Sequence, residues 1–266
     1  MDFTLTKYRE LLSVVKAFGF DIMAVEDYIR TPSDKVFILR HDVDELPKNA
    51  LMMAEVEAEL GIRATYYFRI VKISNNPEII KQIVSLGHEI GYHYEVYSEA
   101  KGNIKEAITQ FTSNLTYFRT FYPVSTVCMH GSSMSHYDNR ELWKHFSLRD
   151  FGLIAEPYLT LDYSDILYLT DTGRRWDGGR FSVRDSVSNN FNFSFRSTDS
   201  IINAIKSGII PQKVLLQSHT LWTNKYTQWC WLELREFVRN RIKVVIVKYL
   251  FLRKLAYSII TTYSKK

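Results

Sequence analysis

Short apolar runs alternate along the chain with longer segments in which apolar residues recur every three or four positions. The second pattern opens the sequence with Tyr8, Leu11, Leu12, Val15 and Phe18. This spacing places the five side chains on one face and predicts an amphipathic helix that ends near Gly19. A run of β-forming residues, Val36–Leu39, then predicts the first strand.

The same alternation continues towards the C-terminus. Further strands are predicted at 64–70, 88–95, 125–129, 153–155, 166–170 and 214–217. Helices are predicted at about 49–60, 77–87, 104–122, 141–145 and 200–206, and from about 224 onward. Strands that alternate with helices are typical of a parallel sheet, so we expect an α/β barrel or an open doubly wound sheet. The polar stretch 171–199 predicts a long loop or a small β insertion.

Composition narrows the class of protein. Of the 266 residues, 46% are hydrophobic and 24% are charged, which excludes a disordered chain, collagen and a coiled coil. The two cysteines, Cys128 and Cys230, cannot form a disulfide framework. The N-terminal segment lacks the features of an export signal, and no apolar stretch approaches the roughly 18 residues of a membrane span. We therefore expect a cytoplasmic protein.

Positive charge is concentrated at the C-terminus. The last thirty residues contain eight Lys or Arg residues and no acidic residue. Removing those eight charges from the net +5 leaves −3, so the remainder is not expected to bind nucleic acid. We divide the chain into a barrel domain, 1–236, and a basic helical extension, 237–266. The extension either contacts an anionic membrane surface peripherally or covers the barrel with a solvated basic edge.

Candidate chemistry lies where the predicted strands end. Asp42 and Asp44 follow the first strand two positions apart, so in an extended chain both point the same way. His93, His130 and His219 end three later strands, and His41 precedes Asp42. In a parallel α/β fold, the C-terminal ends of the strands carry the active site. Carboxylates and imidazoles that converge there predict a site for Zn²⁺ or a similar divalent metal.

At these motifs the chain resembles the polysaccharide deacetylases of carbohydrate esterase family 4. The first motif is His41-Asp-Val-Asp44, and the second is Gly87-His-Glu-Ile-Gly-Tyr-His93. Looser matches follow in order as Met129-His-Gly-Ser132, Thr170-Asp-Thr-Gly-Arg-Arg-Trp176 and Leu216-Gln-Ser-His219. The resemblance covers about Val36 to Trp222 and implies a distorted (β/α) barrel of about seven strands.

The resemblance also implies a role for each matching residue. Asp42 corresponds to the general base and His219 to the general acid, while Asp44 and His93 correspond to metal ligands. The implied reaction is metal-dependent hydrolysis of the N-acetyl amide of a sugar or glycan precursor, in the synthesis of a cell-envelope polysaccharide. The alternatives are a non-catalytic carbohydrate-binding or scaffold protein on the same barrel, and a hydrolase of another amide or ester.

The chain departs from the family pattern at position 97, where Tyr97 replaces the usual second histidine. A tyrosine hydroxyl, with a pKa of about 10, is a poor zinc ligand at neutral pH. We predict His130 as the third ligand, with Glu95 as the second choice.

The third motif lacks the family's usual arginine, so Arg174 or Arg175 is the candidate to orient Asp42. Both arginines and Trp176 are also candidates for substrate binding, although a place in the core is equally consistent for Trp176.

Overall fold

The computed structural model describes residues 1–131, 135–176, 187 and 191–263, and of residues 245–263 it describes the backbone alone. The strands are β1 (Asp21–Met23), β2 (Val36–Val43), β3 (Thr65–Phe68), β4 (Glu89–Tyr94), β5 (Val127–Met129), β6 (Leu167–Thr170) and β7 (Lys213–His219). The helices are α1 (Leu5–Ala17), α2 (Val25–Arg30), α3 (Pro47–Glu59), α4 (Pro77–Ser85), α5 (Val96–Glu99), α6 (Ile104–Phe118), α7 (Pro157–Thr160), α8 (Thr198–Lys206) and α9 (Tyr226–Tyr263).

The described strands form one parallel sheet of seven strands. Its order is β5-β4-β3-β2-β7-β6. Strand β1 pairs with the first half of β2, ahead of the point where β3 begins to pair with β2. Helices connect most of these strands, so the predicted α/β class is confirmed. Helix α1 ends close to the predicted Gly19, and α3 and α4 each lie within two residues of their predicted bounds.

The sheet curls so that one face becomes an interior. Asp42 and Cys128 lie on strands three positions apart, which in a flat sheet would separate them by about 14 Å. Their ligand atoms, together with that of His93, lie within 4.8 Å of one another. A curled sheet of seven parallel strands with helices outside it is the distorted barrel that the resemblance implies.

Side chains alternate between this interior and the helical layer. Val36, Ile38, Arg40 and Asp42 face inward along β2, whereas Phe37, Leu39 and Val43 pack against the helices. The interior apolar cluster is small, and it ends where Arg40 and Asp42 replace aliphatic residues on the same face. Strand β2 thus carries apolar packing at its start and charged groups at its C-terminal end.

Several local predictions differ from the structure. The short elements β1 and α2 were not predicted, and the predicted strand 153–155 is represented by one bridge between Thr126 and Ala155. A 3-10 helix, Asn139–Lys144, replaces the α-helix predicted at 141–145. Of the predicted loop 171–199, positions 177–186 and 188–190 lie outside the described residues, as does Ser132 of the third motif.

Helix α9 is continuous across the boundary that we drew at residue 236. Its buried side chains Leu232, Glu236 and Asn240 are spaced by four, so one face of its first half packs on the barrel. Asn240 donates a hydrogen bond to the carbonyl of Gly173 (3.0 Å). Within the described part of the chain, every helix falls short of the length or hydropathy needed to cross a bilayer. Contact of the extension with a membrane surface stays a prediction.

Glu89 is a fully buried carboxylate at the end of β4 away from the strand tips. It accepts hydrogen bonds from the hydroxyls of Thr65 and Thr126 and from the amide of Glu26. Burial first, and then the charge of Glu26, raise the pKa of Glu89 to about 7. The folded protein therefore holds a proton there that the unfolded chain releases at lower pH.

We expect this carboxyl group to make the free energy of unfolding fall as pH rises from 4.5, its ordinary pKa, through about 7. Glu89→Gln removes the titration and should flatten that dependence by about 3 kcal/mol, as measured by urea unfolding at pH 4.5 and pH 8. Glu78→Gln, at an exposed glutamate, is the matched control. An unchanged pH dependence in Glu89→Gln would contradict the raised pKa.

Candidate active site

The C-terminal ends of four strands bring the predicted chemistry into one cavity. Asp42 lies in β2 and Asp44 follows it, His93 lies in β4, His130 follows β5, and His219 ends β7. The cavity has a volume of about 300 Å³, and Asp42, Asp44, His130 and His219 line it. His41 lies on the opposite face of β2, where it hydrogen-bonds with Ser218 (2.8 Å) and Glu57 (2.6 Å) in the helical layer.

Arg40 holds the predicted base, Asp42, in a two-point ion pair. Its Nε lies 2.9 Å from Oδ1 and its Nη2 lies 2.7 Å from Oδ2, and the arginine is fully buried. Burial raises the pKa of Asp42, but Arg40 and then His93 overcome this effect and lower it well below its usual range. Asp42 is therefore ionised at neutral pH and fixed in orientation.

The prediction that Arg174 or Arg175 orients Asp42 is wrong. Arg174 is buried beside α9, where its Nε donates to Glu233 (2.9 Å) and its Nη1 donates to the Leu221 carbonyl. Arg175 is exposed. Arg40 was overlooked because it lies inside the strand, although its position two residues before Asp42 places both side chains on one face.

Asp44, His93 and His130 form an oxygen and nitrogen donor set. The Nε2 atoms of His93 and His130 lie 3.5 and 3.6 Å from Asp44 Oδ1. That oxygen is buried and accepts no hydrogen bond from the residues that the structure describes. A buried carboxylate oxygen left without a donor, and faced by two ring nitrogens, fits a bound cation.

Hydrogen bonds orient both imidazoles towards Asp44. His93 Nδ1 lies 2.9 Å from the Cys128 carbonyl, which can only accept, so in the neutral ring Nε2 carries the lone pair. His130 Nδ1 lies 2.8 Å from Glu95 Oε2. Glu95 Oε1 in turn accepts hydrogen bonds from Arg69 Nη2 (2.5 Å) and Arg69 Nε (2.8 Å). Glu95, our second choice as a ligand, therefore lies behind His130 and orients it.

His130 and Tyr97 lie on different elements of the fold. Strand β5 pairs with β4, and the His130 amide donates to the Tyr94 carbonyl (2.8 Å). Tyr97 lies on α5, where its ring packs edge-on against Tyr137 at 5.8 Å. His130, which follows β5, therefore places a second imidazole beside Asp44.

The pKa values in this donor set reflect its charges. Burial lowers the pKa of His93 despite the nearby Asp42 and Asp44, which favours the neutral ring that a metal needs. Burial also opposes the charged form of His130, but Asp44 and Glu95 raise its pKa above the ordinary value. A proton and a metal would therefore compete for His130.

Another donor set is formed by Asp42, His93 and Cys128, whose ligand atoms all lie within 4.8 Å of one another. There both oxygens of Asp42 already bind Arg40. The set with Asp44 leaves an oxygen to be satisfied and is the better fit.

The predicted acid, His219, is oriented by Asp171, which was not predicted as a site residue. Asp171 Oδ1 lies 2.8 Å from His219 Nδ1, and its Oδ2 accepts a hydrogen bond from the Trp222 indole (2.9 Å). Burial lowers the pKa of His219, but the hydrogen bond and charge of Asp171 outweigh this and raise it to about 10. His219 is therefore protonated at neutral pH.

Trp176 belongs to an aromatic cluster in the core. It is 5% exposed, stacks on Phe3 at 5.9 Å and lies 6.1 Å from the ring of Trp222. Its indole nitrogen donates to Thr198 (2.9 Å). Of the two places considered for this tryptophan, the structure shows the core.

No family model and no curated protein matches the chain. A pseudoenzyme of carbohydrate esterase family 4 from Bacillus anthracis is 12% identical, with a TM-score of 0.43 over 80% of this chain and 62% of its own, so this chain spans less than two thirds of it. A family 4 esterase from Streptomyces lividans is 13% identical, with a TM-score of 0.41 over 78% of this chain and 88% of its own. A peptidoglycan deacetylase from Bacillus subtilis is 16% identical, with a TM-score of 0.38 over 80% of this chain and 98% of its own. The first two of these structures belong to carbohydrate esterase family 4, the family that the motifs of this chain resemble.

Proposed function

We propose that the protein is a metal-dependent deacetylase that hydrolyses the N-acetyl amide of a sugar or glycan precursor. The observation that carries this proposal is the buried oxygen of Asp44, which faces two imidazole nitrogens and lacks a hydrogen-bond donor among the described residues. Asp42 and His219, oriented respectively by Arg40 and Asp171, line the same cavity. A base, an acid and a cation site in one cavity suit amide hydrolysis.

Asp44, His93 and His130 would hold the metal, and their nitrogen and oxygen donors suit Zn²⁺. When bound, such an ion polarises a carbonyl group and acidifies water. The ionised Asp42 would accept a proton from the attacking water, and Arg40 keeps its carboxylate aimed at the cavity. The protonated His219 would donate a proton to the leaving amine nitrogen.

Gln217 connects the two proton-transfer groups. Its side-chain amide donates to Asp42 Oδ2 (3.1 Å) and lies 3.5 Å from the ring of His219. Its carbonyl oxygen accepts from the hydroxyl of Thr170. The base and the acid are therefore held on one rigid layer of side chains, which limits the reorganisation needed during the reaction.

The alternative, a carbohydrate-binding protein without activity, rested on the loss of a ligand at position 97. The imidazole of His130, 3.6 Å from Asp44 Oδ1, instead supports a complete donor set and hence the deacetylase. The proposed setting, cell-envelope glycan synthesis on the cytoplasmic side, rests on the family resemblance.

The proposal is tested by acetate release from the full-length protein supplied with Zn²⁺ or Co²⁺. We expect acetate and free amine in equal amounts from at least one member of a panel of N-acetylated sugars, sugar nucleotides and lipid-linked sugars. His219→Gln should lower this rate by about 10²–10⁴-fold, because it removes the general acid. His145→Gln is the matched control, because His145 is exposed and does not line the cavity. Release that is absent across the panel, or unaffected by His219→Gln, would contradict the proposal.

A further inference from the structure

A second, larger cavity adjoins the catalytic cavity. Its volume is about 1200 Å³, and Glu45 and Ile73 line both cavities. The start of α3, the segment between β3 and α4, and the start of α9 form its walls. The apolar residues that line it are Leu46, Pro47, Leu51, Met52, Ile73, Ile79 and Trp231. We call this second cavity the apolar groove.

Two of these residues are unusually open to solvent. Ile73 exposes 61% of its surface and Trp231 exposes 54%. Large apolar side chains exposed together beside a catalytic cavity are typical of a ligand-binding surface. Because Ile73 stands between the two cavities, a ligand could occupy both at once.

Basic residues line both cavities. Lys48, Lys72 and Lys225 line the apolar groove, against a single acidic residue, Glu45, which is already paired with Arg235 (2.5 Å). Lys243 of α9 lines the catalytic cavity and forms no ion pair with any residue that the structure describes. An unpaired cation in a cavity favours an anionic ligand such as a phosphate group.

We propose that the substrate is amphiphilic, with its N-acetyl sugar joined through a phosphate to a lipid chain. The sugar would occupy the catalytic cavity, the phosphate would contact Lys243, and the chain would lie along the apolar groove past Ile73. This inference rests on the proposed function. A free glycan or a sugar nucleotide would leave the apolar side chains of the groove in water, whereas a lipid chain removes them from it.

The test compares farnesyl-phosphate-linked N-acetylglucosamine with N-acetylglucosamine 1-phosphate, which lacks the chain. We expect the zinc-loaded protein to deacetylate the lipid-linked compound with a kcat/KM at least about tenfold higher, since burial of a few methylene groups suffices for that factor. Ile73→Glu and Trp231→Glu should each lower that ratio towards one. Ile209→Glu, at an isoleucine that is 62% exposed and lines neither cavity, should leave it unchanged. Equal kcat/KM for the two compounds, or equal effects of Ile73→Glu and Ile209→Glu, would overturn the inference.

A binding measurement separates this inference from the proposed function. Farnesyl phosphate, which has no acetyl group, should bind the full-length protein in calorimetry, and Ile73→Glu should weaken binding at least about tenfold. Binding without acetate release from either compound would support the groove and contradict the deacetylase. Acetate release without binding of farnesyl phosphate would support the deacetylase and overturn the lipid-linked substrate.

Discussion

Replacing Asp42 by asparagine is expected to reduce kcat by about 10²–10⁴-fold, because the variant lacks the carboxylate that accepts the proton from water. The substitution preserves the shape of the side chain, so the cavity should still admit substrate and KM should change little. The measurement is steady-state acetate release at a temperature where circular dichroism shows the variant to be folded. A kcat within tenfold of the wild type would exclude Asp42 as the base.

The same substitution should also destabilise the fold. Arg40 is fully buried and would lose its counter-charge, which costs about 3–5 kcal/mol in comparable buried pairs. Asp138→Asn is a matched control, because Asp138 and Arg140 form an ion pair with the same two-residue spacing but are about 30% exposed. That variant should lose less than about 1 kcal/mol. Similar losses in the two variants would show that burial of the Arg40 pair contributes little to stability.

Replacing His130 by alanine is expected to abolish binding of the divalent metal. The variant keeps only two of the three proposed donors, and it removes the ring that Glu95 orients. Glu95→Gln should weaken metal binding by about 10–100-fold, since it changes only the group behind the ligand. Metal content after dialysis, and titration with Zn²⁺ alone, measure both effects.

Tyr97→Phe is the control, because the Tyr97 ring packs on Tyr137 and is not among the proposed donors. It should retain about one equivalent of metal. Full metal content in His130→Ala would exclude the proposed donor set, whereas a loss in Tyr97→Phe would return the tyrosine to consideration.

Wild-type affinity for Zn²⁺ should fall as the pH is lowered, because Asp44 and Glu95 raise the pKa of His130 and protons then compete with the metal.

Much of this architecture could be predicted from local pattern. Strands buried on both faces are continuous apolar runs, and Val36–Leu39 is such a run. Their tips could be found because charged residues follow the apolar ones abruptly, as at Asp42. The three-residue strand β1 and the six-residue helix α2 were missed. Both are too short for the hydrophobic pattern of a strand or a helix to repeat twice.

The supporting residues of the site were harder to predict than the reacting ones. Asp171 follows β6 directly, so the rule that identified His219 at the tip of β7 would have identified it too. Glu95 was predicted as the second choice for a metal ligand, and its contact with His130 depends on the pairing of β4 and β5, which no local pattern contains. The apolar groove joins α3 to α9 across about 180 positions of sequence, and only the folded chain brings these together.

The pairing of Arg40 with Asp42 also bears on how such chains diverge. Because the proposed base and the arginine that holds it lie two residues apart on β2, both can be inherited in one short segment, Arg40-His-Asp-Val-Asp44. No distant loop has to conserve an arginine for this purpose. Insertions and exchanges elsewhere around the strand tips can then accumulate without disabling the base. A chain in which this five-residue string stands without the family's usual arginine is a candidate for the same arrangement, even where overall identity has fallen too low to align.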